Sequence, residues 1–285
     1  IAQPSLEDGV QQIAENGLPL FGPADKYGLL TVISTLSWGL GYFGMPQVLL
    51  RFMAIRDAGE LKKSRRIATL WCFISLFAAI AIGITGRVLY PGHLLTKSSS
   101  ESIFILLSTN LLPALLAGIV MAGILAATIS SSDSYLLIAA SAFSKNIFQG
   151  VFKKDASDKQ VMIVSRVVLI LISIIGMIIA LDENSVIFTV VSFAWAGFGA
   201  TFGPIMLFSL FWNRTTRAGA IAGMLSGGIM VFVWDLLLSP LGGVFAIYEL
   251  FPAFVISCIA IVVVSLISEK PSEEIEKEFE MAKAS

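Results

Sequence analysis

Ser130, Ser131, Ser132 and Asp133 stand in a row near the middle of a stretch, 122–144, that is otherwise apolar enough to be a membrane helix. At about 100° per residue, Ala127, Ser130, Ser131 and Ser134 follow an i, i+3, i+4, i+7 pattern and share one helix face. Lipid offers no hydrogen-bond partner, so such a stripe of hydroxyls needs partners from within the protein. Asp133 adds a carboxylate, whose burial in a bilayer costs at least ~2.5 kcal/mol. A cation bound among these oxygens removes that cost. Sodium is a hard cation that prefers oxygen ligands, as calcium and magnesium do, and hydroxyls, backbone carbonyls and one carboxylate suit it. The bland alternative is that serines bond back to the i−4 carbonyl or across to a neighbouring helix. That accounts for one or two serines and poorly for four consecutive polar residues.

A second cluster lies at 37–46, Ser-Trp-Gly-Leu-Gly-Tyr-Phe-Gly-Met-Pro. Its three glycines and one proline weaken a helix through lost propensity and a missing donor. An interrupted span is tolerated only where protein or a water-filled cavity satisfies the freed backbone, and such breaks build the midplane sites of secondary transporters. Trp38 and Tyr42, four apart, share a face; their rings could close over a small ligand or stack on a cationic amine. The same residues also suit helix packing through small side chains, with the aromatics as interface anchors. A third block, 194–204, spaces Ala196, Gly199, Ala200 and Gly203 for close helix contact.

The elements that must position these groups are membrane helices. The chain has 285 residues, 56% hydrophobic and 14% charged, against about 25% charged in soluble chains. Its mean hydropathy is +0.85. Net charge is −1, which gives nucleic acid no basic surface to bind. Cys72 and Cys258 are isolated in apolar stretches and His93 has no nearby His or Cys, so neither a zinc centre nor a nucleophile–base pair is evident. Enzyme chemistry has little to stand on.

The pattern predicts about seven spans, at 27–50, 67–89, 113–143, 162–181, 186–211, 218–238 and 247–267. Residues 1–26 read as a loop outside the hydrocarbon, with at most a turn or two of amphipathic helix. Glu101 to Asn110 reads as a short interfacial helix before Pro113, and 268–285 as a solvated tail. Sixteen of the 19 Lys and Arg residues fall on the side of 51–66, 145–166, 214–217 and the tail, leaving Lys26, Arg87 and Lys97 opposite. By the positive-inside rule the N-terminus is outside and the C-terminus cytoplasmic. The basic loop 51–66 is most simply this topogenic signal, with anionic-lipid contact in addition. A start at Ile1, without Met or a signal peptide, reads as a chain beginning partway through a longer protein.

Trp38-Gly39-Leu40-Gly41-Tyr42-Phe43-Gly44 with Pro46 and Arg51-Phe52-Met53-Ala54 resembles the opening of the second inverted repeat of the sodium/solute symporter family, the bacterial sodium/proline group most closely. Ala122-Gly123-Ile124-Leu125-Ala126-Ala127 with Ser130-Ser131 resembles the family's sodium motif. Ala194-Trp195-Ala196-Gly197-Phe198-Gly199-Ala200 with Gly203-Pro204 resembles a further block. The resemblance runs from about residue 28 to 267.

It implies an all-α, LeuT-like inverted-repeat fold. Residues 27–211 would be the second five-helix repeat and 212–267 two accessory helices, in a bacterial inner membrane. It implies sodium held by the Ala127 carbonyl and the Ser130 and Ser131 hydroxyls, and proline contacts or gating at Trp38, Tyr42 and Pro46. Asp133 and Ser134 fall where some members place a second sodium site. The sequence departs from the family's proline transporters there, since Ser132 and Asp133 stand where small or apolar residues are usual. The expected function is sodium-coupled symport of proline, with membrane lipid and the N-terminal half of the transporter as partners. Another small solute (a carboxylate, vitamin or sugar) or a non-transporting sensor of the same fold is the alternative. A channel would want a lined polar path, and one polar cluster is not that.

Overall fold

Where apolar residues run on for five turns or more, the backbone can satisfy its polar groups in lipid only by coiling on itself. The computed structural model describes residues 6–15, 28–93, 96–182 and 186–284. All regular structure among them is helical. Six helices are long and apolar enough to cross a membrane: α4 (Glu60–Leu89), α7 (Ala114–Ser141, extended by a π-helical turn sequence to Phe152), α8 (Asp158–Ala180), α9 (Ile187–Phe211), α10 (Arg217–Val233, extended to Leu241) and α11 (Leu250–Ile267). The chain is a polytopic membrane protein.

The expected first span is divided. It forms α2 (Leu29–Gly41) and, after Tyr42–Met45, α3 (Pro46–Met53), with Pro46 in the first turn where its missing N–H costs nothing. The expected loop at 1–26 contains a ten-residue helix, α1 (Leu6–Glu15); its remaining residues, Lys26 included, lie outside the described ones. The span expected at 67–89 starts earlier, at Glu60, because Glu, Lys and Arg are good helix formers and carry the coil past the hydrocarbon. The short helix before Pro113 is α6 (Ile103–Leu111), preceded by the single turn α5 (Lys97–Ser100), and the tail is helical as α12 (Glu273–Ala284).

The chain divides into two compact units, Ile1–Leu20 with Ile74–Ile187, and Phe21–Phe73 with Phe188–Ser285. In the first, Gly86 of α4 lets α6 approach, since a Cβ there would overlap the Ile103 side chain. The most apolar windows of α4 and α8 bury none of their residues, 0% in each, so their surfaces are left for lipid or for other protein. In the second unit the core is Ala196, Ala200, Val231, Leu250, Ala253 and Phe254, from α9, α10 and α11. Gly219, Gly223 and Gly227 make a smooth stripe on α10 that sits against Ser265, Ile261 and Ser257 of α11. Ser257 Oγ donates to the Gly223 carbonyl at 2.8 Å, a bond possible only at this backbone distance. Pro204, inside α9, cannot donate to the Ala200 carbonyl, and that oxygen is faced instead by Gly227 of α10.

Candidate functional site

The two sets of residues singled out in the sequence fall in different units. In the second unit, the break after α2 is pressed against α9. A Cβ on Gly41 would overlap the Trp195 indole, and one on Gly44 would overlap the Phe198 carbonyl and come within 2.8 Å of the Gly203 nitrogen. The glycines of the break therefore meet the small-residue stripe of α9, and the two sequence motifs are halves of one contact.

Trp38 lies inside an aromatic stack. Its ring centroid is 5.3 Å from Phe188 and 5.4 Å from Trp195, with interplanar angles of 15° and 14°. Phe188 and Trp195 are seven residues apart on α9, about 10.5 Å at 1.5 Å per residue, which leaves room for one ring between them. Tyr248, in the connection before α11, also stacks on Trp38 at 5.8 Å. Trp195 Nε1 donates to the Trp38 carbonyl at 2.9 Å, supplying a donor where the helix runs out. Tyr248 Oη donates to the Ser192 carbonyl at 2.6 Å, and its backbone N–H donates to Ser34 Oγ at 3.1 Å. Burial, with Glu249 beside it, pushes the Tyr248 phenol above its usual range, so it stays a neutral donor. Glu249 is itself pushed up to about 7, chiefly by burial.

Trp38 is thus a half-buried ring stacked on both sides by α9. Tyr42 differs: it is 51% exposed and touches Trp195 edge-on at 4.8 Å. Pro46 is half-buried at the start of α3. Sequence reasoning passed over Phe188, Tyr248 and Trp195 as partners of Trp38, because residues 150 and more positions apart leave no local signal of contact. We expect Trp195→Phe to lower stability by about 1 kcal/mol through the lost hydrogen bond, with the ring stack kept. Denaturant unfolding reads this, and an unchanged midpoint would mean that the bond contributes nothing.

In the first unit, Ala127, Ser130, Ser131, Asp133 and Ser134 all lie on α7, and all are exposed. Ser134 Oγ donates to the Ser130 carbonyl at 3.1 Å and Thr128 Oγ1 to the Ile124 carbonyl at 2.9 Å. These two hydroxyls take the back-bonding option open to any helix serine or threonine, which leaves their lone pairs facing outward. Asp133 has no salt bridge among the described residues. Among those residues no three His, Cys, Asp or Glu side chains gather into a metal site. The result is a ladder of oxygens on an unbroken apolar helix, left uncovered by the described residues.

The sodium:solute symporter family model matches residues 11–227, which takes in the broken helix, the oxygen ladder and the stripe of α9. The chain belongs to this family. It is 36% identical over 272 residues to the high-affinity proline transporter PutP of Bacillus subtilis, covering 95% of this chain and 57% of that protein. It is 38% identical over 281 residues to the sodium/proline symporter of Haemophilus influenzae, covering 97% and 55%. A sodium/proline symporter of Staphylococcus aureus is 38% identical over 251 residues, covering 86% and 49%. The chain spans about half the length of the curated relatives it matches. Its family is one of transporters.

Proposed function

We propose that this chain is the second-repeat portion of a sodium-coupled symporter of proline, working by alternating access in a bacterial inner membrane. The observation that carries the reading is the exposed oxygen ladder of α7, which no bilayer would leave uncovered. It needs both a cation and a covering helix. The greater length of the relatives supports the view that a further part of the transporter, corresponding to their N-terminal half, supplies that helix. Sodium would be held by the Ala127 carbonyl and the Ser130 and Ser131 hydroxyls, with Asp133 and Ser134 adding oxygens on the next turn.

Tyr42 and Pro46, at the break between α2 and α3, would border the substrate, while Trp38 holds the broken end in register with α9. In a LeuT-like arrangement such breaks lie at midplane. Sodium couples to uptake by binding one of two conformations more tightly than the other. The N-terminus of the chain would be outside and α12 cytoplasmic, as the positive charges require.

The test is radiolabelled proline uptake into proteoliposomes holding the complete transporter, with and without an inward sodium gradient. We expect saturable uptake that needs sodium. Sodium-driven uptake of a different solute would replace proline and keep the ion site. Uptake indifferent to sodium would overturn the symporter reading.

A further inference from the structure

Within the second unit, α3 and the start of α4 enclose an open cleft of about 520 Å³. From α3 come Val48, Arg51 and Phe52, spaced i, i+3, i+4 on one face of the helix, and from its exit comes Ile55. From α4 come Leu61, Lys62, Arg65 and Thr69, again at three- and four-residue spacing. Each wall is basic and apolar at once. No carboxylate lines the cleft, and the acids of the intervening turn are engaged elsewhere. Glu60 Oε1 is 3.7 Å from Arg56 Nη2, and Asp57 Oδ1 accepts from the Gly59 N–H at 2.9 Å. Among the described residues, none of Arg51, Lys62 and Arg65 has a salt bridge.

The depth of the cleft matters as much as its charge. The apolar part of α4 begins at Ile67, and Ile67, Leu70 and Trp71 are exposed. Arg65 and Lys62 therefore stand about half a turn and about one and a half turns before the hydrocarbon, at headgroup level, while Phe52 and Met53, 58% and 79% exposed, offer apolar surface beside them. A ligand that fits needs a phosphate at one end and a hydrocarbon chain at the other.

We propose that the cleft between α3 and α4 is a binding site for an anionic phospholipid. Arg51, Lys62 and Arg65 hold the headgroup phosphate, Ser64 offers a hydroxyl to its oxygens, and an acyl chain runs over Phe52 and on along α4 past Ala68. The charge requires a leaflet rich in acidic lipid, where each Lys or Arg near the surface contributes attraction. Because α3 follows the broken helix directly, bound lipid would restrain the element that carries Pro46.

The test is native mass spectrometry of the complete transporter with phosphatidylglycerol, with phosphatidylcholine, and with inorganic phosphate as competitor. We expect phosphatidylglycerol to be retained well over phosphatidylcholine. The triple variant Arg51→Gln, Lys62→Gln, Arg65→Gln should weaken that retention about a hundredfold, and each single variant roughly fivefold. Lys153→Gln, Lys154→Gln, Lys159→Gln removes the same charge elsewhere and should change it less than twofold. Should the triple variant fail to fold, the single variants, each on an exposed position, carry the test at their own magnitude. Equal loss in both triple variants would mean diffuse attraction, and no loss in the first would mean no site. Displacement by inorganic phosphate as effective as unlabelled lipid would make it a free-anion site. Each of these three results overturns the proposal.

Discussion

Ser131→Ala is expected to raise the sodium concentration needed for half-maximal proline uptake by roughly ten- to a hundredfold, with folding intact. The size follows from the loss of one oxygen from a charged ligand, since interactions with charged groups contribute about 1.5–3 kcal/mol each. The small effect on folding follows from position. Ser131 is exposed on α7 and makes no packing contact that the loss of one oxygen would open, and alanine is the better helix former. Ser173→Ala on α8 is the control. Its hydroxyl back-bonds to the Leu169 carbonyl at 2.9 Å, as those of Thr128 and Ser134 do on α7, but stands on a helix with no oxygen ladder. Uptake measured against sodium concentration at saturating proline separates the two. If both variants shift alike, or neither does, Ser131 is an ordinary helix serine and the ion lies elsewhere.

A large loss of stability is expected at Gly44. A valine there would drive its Cβ into the Phe198 carbonyl and the Gly203 nitrogen, both backbone atoms of α9 that no side-chain rotation can move aside. Overpacking costs about 1–3 kcal/mol where side chains can give way, and a backbone obstacle puts this substitution at or above the top of that range. The cause is purely steric, because the glycines with positive φ among the described residues are Gly242 and Gly243, not Gly44. Gly39, five residues earlier on α2, has nothing within 4 Å of its Cβ direction. Gly39→Ala should therefore fold as well as the parent, or better by up to about 1 kcal/mol from helix propensity. Denaturant unfolding of the two variants checks the contrast. Equal stability would mean that the break does not seat on α9 as described. A well-folded Gly39→Ala protein that loses proline uptake would place that open face on the substrate path.

The helices themselves were legible from residue types alone. Hydrocarbon length and the absence of backbone partners in lipid leave a long apolar run one conformation, so α7 to α11 fall close to their expected limits. The division of the first span was legible too, because Pro46 and its neighbouring glycines oppose a continuous helix through local effects. Helix ends were less so. α4 gained two turns of Lys, Arg and Glu that hydropathy places outside the membrane but whose propensity favours the coil. The oxygen ladder was readable as a one-face pattern, because helix periodicity is a property of consecutive residues.

What joins the break to α9 was not readable. The glycines at 41 and 44 read equally as helix breakers and as packing surfaces, and nothing local named α9 as the surface they meet. Trp38 read equally as a ligand platform and as an interface anchor, and only the tertiary structure sets it between Phe188 and Trp195. Residue type sets what a side chain can do, and spacing along one helix sets which side chains share a face. Which faces meet depends on chain closure over more than a hundred residues, and there the tertiary structure alone decides.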